Sequence, residues 1–114
     1  LYSSSNNTVT GNTCNNNNYG IYIYSSSNNN TVTGNTCNNN NDGILLNFSS
    51  NNTVTGNTCI RGTGQPSDYT SSQYTIRLSG SDNNYNLISS NNCMGKDVAI
   101  EDGTGNTSVN NKYN

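Results

Sequence analysis

Nine residues, Asn-Asn-Thr-Val-Thr-Gly-Asn-Thr-Cys, recur three times in this chain, ending at Cys14, Cys37 and Cys59. Self-similarity at intervals of 23 and then 22 residues is the mark of a solenoid, in which one supersecondary unit stacks on the next because it cannot bury its apolar face alone. A fourth, degraded copy, Leu-Ile-Ser-Ser-Asn-Asn-Cys, ends at Cys93. Aligned on the cysteines, Val9, Val32, Val54 and Ile88 fall five residues earlier. After the cysteines come Ile21 and Ile23, Ile44 and Leu46, Ile76 and Leu78, Val98 and Ile100, each pair at the period-2 spacing of a strand with one buried face.

Parity then dictates bends. Val9 and Cys14 are an odd number of residues apart, so one straight strand cannot point both inward. The chain must turn between them, at Gly11-Asn12. The same argument puts a second bend within Asn15 to Asn18 and a third in Ser-Ser-Ser-Asn-Asn-Asn. Three short strands and three bends per coil give a roughly triangular section. The expected fold is all-β, a right-handed parallel β-helix of about 22 residues per coil and about four to five coils. The predicted coils are 8–30, 31–52, 53–86 with an inserted loop at 61–73, and 87–108, all in a single domain, 1–114. The predicted core is Leu1, Val9, Cys14, Ile21, Ile23, Val32, Cys37, Ile44, Leu46, Val54, Cys59, Ile76, Leu78, Ile88, Cys93, Val98, Ile100 and Val109.

Competing architectures are excluded by composition. One alanine, one glutamate and no helical apolar stripe argue against helices. Five leucines cannot supply a leucine-rich repeat. An antiparallel meander would favour Asn-Gly hairpins, and the 28 asparagines and 11 glycines form no such pair. Asparagine abundance alone suggests a disordered polymer, but low-complexity tracts do not keep Val, Cys and Ile in phase. No apolar run is long enough for a membrane-spanning helix.

The stretch Asn-Asn-Thr-Val-Thr-Gly-Asn-Thr-Cys-Asn-Asn-Asn-Asn-Tyr-Gly-Ile-Tyr-Ile-Tyr resembles the repeat of the NosD family and of related archaeal and bacterial surface or periplasmic β-helices. The likeness is close over Leu1 to Cys59 and looser over Tyr74 to Val109. It implies a right-handed β-helix in an extracellular, cell-surface or periplasmic setting. It also brings in copper maturation, the process with which NosD-type proteins are associated, although no matching ligand motif is present here.

Several residue sets bear on function. Asn12, Asn35, Asn57 and Asn91 stand at one bend of successive coils, where stacked amides can hydrogen-bond side chain to side chain. Asn6, Asn29, Asn47, Asn51 and Asn106 each begin a glycosylation sequon, a frequent pattern by chance in such a composition. The column Cys14, Cys37, Cys59, Cys93 reads first as buried thiols replacing core aliphatics, with inter-coil disulfides or a soft-metal site as alternatives. Without histidine or a Cys-x-x-Cys pair no metal or cofactor is expected. Arg77, Asp97 and Glu101 lie on neighbouring outward columns and are the weak catalytic candidates, against the plainer reading of a solvated edge. Tyr2, Tyr22 and Tyr24 point outward, with Asn47 one coil on, and suit either stacking on sugars or cross-strand packing. The ranks Thr8/Thr10, Thr31/Thr33 and Thr53/Thr55 resemble ice-binding faces, but β-branched Thr is also an ordinary strand residue.

The sequence reading is therefore a non-catalytic extracellular scaffold, stacking end to end on further coils of its own chain or of a second copy and contacting polysaccharide. A polysaccharide-active lyase or glycosidase is the alternative, with copper maturation and ice binding as minor ones. The four basic and six acidic residues, net charge −2, argue against nucleic acid as a partner.

Overall fold

The computed structural model describes all residues, 1–114. Its strands are β1 (Thr8–Thr10), β2 (Tyr19–Tyr24), β3 (Thr31–Thr33), β4 (Asp42–Asn47), β5 (Thr53–Thr55), β6 (Tyr74–Ser79), β7 (Leu87–Ser89), β8 (Ala99–Ile100) and β9 (Thr107–Val109). Odd-numbered strands form one parallel sheet, β1-β3-β5-β7-β9, and even-numbered strands another, β2-β4-β6-β8. A third column of single parallel bridges joins Thr13, Thr36, Thr58, Asn92 and Lys112. Like residues stack on like: Val9, Val32, Val54 and Ile88 share one column, and Ile21, Ile44 and Ile76 another. This is a parallel β-helix.

The bends fall where parity requires them. Gly11, Gly34 and Gly56 adopt φ of 69°, 64° and 64°, and Ser90 and Asn110 continue that corner at 56° and 55°. Asn16 and Asn39 take the left-handed region at the second corner, and Ser25, Ser26 and Asn29 take it in the third run. Asparagine tolerates this region because its short polar side chain can satisfy neighbouring backbone.

Ile21, Ile23, Val32, Cys37, Ile44, Leu46, Val54, Cys59, Ile76, Leu78, Ile88 and Cys93 form one buried cluster, with Val9, Cys14 and Val98 packed partly against it. Three expected core residues are exposed. Leu1 and Ile100 lie on the outermost rungs, covered from one side only. Val109 was assigned to the wrong column: it pairs with Ser89, behind Thr55, on the outward side, and Ser108 takes the place after Ile88. The expected loop at 61–73 is an outward excursion around a short 3-10 turn, Pro66–Asp68. The Asp68 carboxylate accepts hydrogen bonds from the backbone and hydroxyl of Thr63 and from the backbone of Gln65, which holds its charged form and lowers its pKa. Tyr69 ties the loop down, donating to the Met94 carbonyl at 2.7 Å.

Two amide ladders line the corners. Asn12, Asn35, Asn57, Asn91 and Asn111 form the expected one, each side-chain oxygen accepting from the backbone N–H and the side-chain amide of the coil before at 2.9–3.0 Å. Asn7, Asn30, Asn52, Asn86 and Asn106 form a second, of which the sequence singled out only Asn106, as a sequon. Asn57→Ala removes the acceptor for the Asn35 backbone and amide and the donor to the buried Val32 carbonyl. Unsatisfied buried groups cost about 1–3 kcal/mol each, so the loss is expected to be about 3 kcal/mol or more in denaturant unfolding. Asn18→Ala, at an exposed amide, is expected to stay within about 0.5 kcal/mol of the parent.

Candidate functional site

The outer face of the even-numbered sheet gathers most of the chain's chemistry. Its strand register sets out a grid of three outward columns. Tyr19, Asp42 and Tyr74 form the first, Tyr22, Leu45, Arg77 and Ala99 the second, and Tyr24, Asn47 and Ser79 the third. Tyr2 precedes Tyr24 in that third column. Alternation explains the second and third columns, since Ile21 and Ile23 turn into the core and force Tyr22 and Tyr24 outward; Tyr19 shares the parity of Ile21 and faces out because alternation breaks at Gly20, which itself sits against inward Cys37.

The rings form a contiguous rank. Tyr22 stacks on Tyr24 with centroids 5.3 Å apart and planes at 25°, Tyr19 lies 4.8 Å from Tyr22, and Tyr2 lies 5.6 Å from Tyr24. Phe48 closes the row 6.4 Å from Tyr24. Tyr2 is 70% and Tyr19 47% exposed. Tyr2, Tyr22 and Tyr24 are thus brought together as the sequence suggested, while Tyr19 and Phe48 were missed. Phe48 was hidden because it sits at a corner, with φ of 51°, an unfavourable conformation for a bulky side chain. Gly80 lies against its ring, where a Cβ would come within 3.0 Å.

One coil further on, the face becomes charged. Arg77 donates to Glu101 at 3.0 Å and lies 3.7 Å from the Asp42 carboxylate. Its guanidinium carbon stands 4.6 Å from the centre of the Tyr74 ring, and the Lys96 ammonium 4.3 Å from it. Asp42 is buried, and burial pushes its pKa above the usual carboxylate range although Arg77 opposes the shift. Arg77 and Glu101 therefore meet as expected. Asp97 is exposed and makes no ion pair, and Asp42 holds the second carboxylate position instead. Its signal was the replacement of Tyr19-Gly by Asp42-Gly in the same phase of the repeat.

The four cysteines are free thiols in one inward column, Cys14 half-buried and the others buried. Burial raises the pKa of Cys93 to about 11. The hydrogen bond Cys59 shares with Cys37, together with burial, holds Cys59 well above the ordinary thiol range. Gly20 and Gly43 sit against this column: a Cβ on either would come within 3.0 Å of the Cys37 or Cys59 Cβ. The sequon asparagines differ in setting. Asn6, Asn29 and Asn51 are exposed at left-handed corner positions. Asn47 is half-buried. Asn106 is half-buried, its amide nitrogen donating to the Asn83 carbonyl and its oxygen closing the second ladder.

Parallel strands in two sheets, stacked coil on coil with a one-sided core, define a parallel β-helix protein. Residues 1–114 match the family model for NosD, described as a periplasmic copper-binding protein, and the chain belongs to the NosD family. No curated protein and no solved structure matches it.

The residues do not fit a preformed copper centre. No three His, Cys, Asp or Glu side chains come together where they could hold an ion. The soft donors are the lone Met94 thioether and the thiol column, in which Cys14, Cys59 and Cys93 are shifted up and only Cys37 down, by its bond with Cys59, and a copper ion would require these thiols to shed protons against an apolar cluster. The column behaves as packing. Cys37→Val, which exchanges one small apolar side chain for another, is expected to change unfolding free energy by less than about 1.5 kcal/mol. A larger loss would assign the thiol a role beyond filling space.

Proposed function

We propose that this chain is a non-catalytic, extracytoplasmic β-helix scaffold that holds polysaccharide on its aromatic face and adds end to end to further coils. The observation that carries the reading is the row Tyr19, Tyr22, Tyr24, Tyr2 and Phe48 on one outer sheet face. Rings with one apolar face free and hydroxyls at the rim are suited to stacking on pyranose rings. The family's periplasmic description agrees with an extracytoplasmic location. Asn6, Asn29 and Asn51, exposed and aligned along one corner, are the glycosylation positions compatible with this role.

Replacing Tyr22 and Tyr24 together by Ser is expected to abolish retention on insoluble glycans in pull-down while the circular dichroism spectrum stays the same. Retention equal to the parent's would return the rings to a packing role.

The rungs themselves support end-on addition. The first and last strands of both sheets each have a ladder partner on one side only, and an open parallel edge is a template for another strand. Repetition of such a contact without closure gives a filament. Light scattering of the purified chain is expected to show growth with concentration, and a monomer unchanged over a hundredfold range would refute end-on addition.

A further inference from the structure

We propose that Asp42 and Arg77 form a hydroxyl-binding subsite for a neutral hexopyranose unit, set beside the Tyr19–Tyr22 ring pair. The inference rests on the polysaccharide reading above and adds to it a place, a polarity and a ligand class.

Four buried side-chain polar atoms in the chain lack a hydrogen-bond partner: Asp42 Oδ1, Asn47 Oδ1, Arg77 Nε and Asn92 Oδ1. Three of them belong to the outward columns of the even-numbered sheet, and Asp42 and Arg77 occupy adjacent columns of adjacent coils. Native proteins rarely leave such atoms unpaired, since each costs about 1–3 kcal/mol. Here one is an acceptor and its neighbour a donor. A vicinal diol supplies the complement, one O–H donating to Asp42 Oδ1 and one oxygen accepting from Arg77 Nε.

The surroundings select the same ligand. Tyr19 is the rung partner of Asp42 on one side and Tyr74 on the other, and Tyr22 lies against Tyr19, its pKa raised by burial first and then by Tyr24, Tyr19 and Asp42. A sugar stacked on Tyr19 and Tyr22 therefore has its edge over Asp42. The Asp42 side chain is 4% exposed, so the ligand reaches Oδ1 by displacing Tyr19, which is 47% exposed, while Arg77 stays in place as the donor. Rotamer changes of exposed side chains are fast.

Charge excludes the acidic alternative. Arg77 is already bound to Glu101, Asp42 adds a second carboxyl, and the chain carries net −2. A uronate would bring a third carboxylate to a face whose second cation, Lys96, is already held by the Thr70 and Gln73 carbonyls and the Tyr74 ring. Neutral hydroxyls bring none.

The test is affinity electrophoresis and titration calorimetry with soluble β-1,3-glucan and mannan as neutral probes and polygalacturonate as the acidic one. The parent chain is expected to bind a neutral probe at least tenfold more tightly than polygalacturonate. Asp42→Ala and Arg77→Lys, the second keeping charge but losing the Nε donor, are each expected to weaken neutral binding about tenfold, with melting temperature checked for both. If Asp42→Ala does not fold, Arg77→Lys decides alone. Neutral binding unchanged in the folded variants, but lost in the Tyr22/Tyr24 double Ser variant, overturns the subsite and leaves the aromatic reading standing. Preference for polygalacturonate overturns the ligand class. No binding of any probe by the parent overturns the polysaccharide reading itself.

Discussion

The fold depends on one interaction repeated at its corners: an asparagine side chain whose oxygen accepts both the backbone N–H and the amide of the asparagine one coil before. A solenoid this narrow turns its chain sharply several times per coil, and each turn leaves backbone groups that cannot pair along a strand. The buried asparagines satisfy them. The Asn57 amide bonds forward to Asn91, back to the Val32 carbonyl and locally to the Thr55 carbonyl, so one side chain ties three coils. With so few apolar residues, this polar network takes on a share of the cohesion that a larger core supplies in other folds. Buried amides are tolerable here only because they are nearly all paired, whereas a half-satisfied network would be worse than an apolar one.

That dependence explains the composition. Asparagine is abundant because it serves two separate duties: Asn6, Asn16, Asn29, Asn39, Asn51 and Asn110 take the left-handed backbone at corners, while the ladder residues use a side chain that both donates and accepts. Where the corner needs only the conformation, glycine or serine takes over, as at Gly11, Gly34, Gly56 and Ser90. Where the interior needs room for the thiol column, Gly20 and Gly43 supply it. The outer face, released from both duties, is free to vary. It does so in one direction, from tyrosines in the earlier coils to Arg77 and Glu101 in the later ones.

The repeat made the architecture readable, because phase is visible in a linear string: valine five before cysteine, isoleucine two before isoleucine or leucine. Val109 was misplaced because a lone apolar residue near a degraded repeat carries no phase, and only its pairing with Ser89 shows it facing outward. The second amide ladder was overlooked for a related reason. In Asn-Asn-Asn runs, composition hides which amide points inward, and Asn29 and Asn30 differ only in their side of the corner. The site was partly legible. Arg77 and Glu101 stood on adjacent columns, but Asp42 was masked by aligning with tyrosines, and Phe48 by occupying a turn.

The two ladders also share a direction. From Asn12 to Asn111 and from Asn7 to Asn106 every amide-to-amide bond runs from the nitrogen of one coil to the side-chain oxygen of the later coil, while the same nitrogens also reach back to backbone carbonyls of the coil before. The aligned amide dipoles make the solenoid a vector. A cut between two coils parts each ladder into an amide nitrogen on one cross-section and its oxygen acceptor on the other, so unlike ends match along the ladders. Any assembly built on these cross-sections inherits that sense: it can lengthen head to tail, and it has a distinguishable front and back.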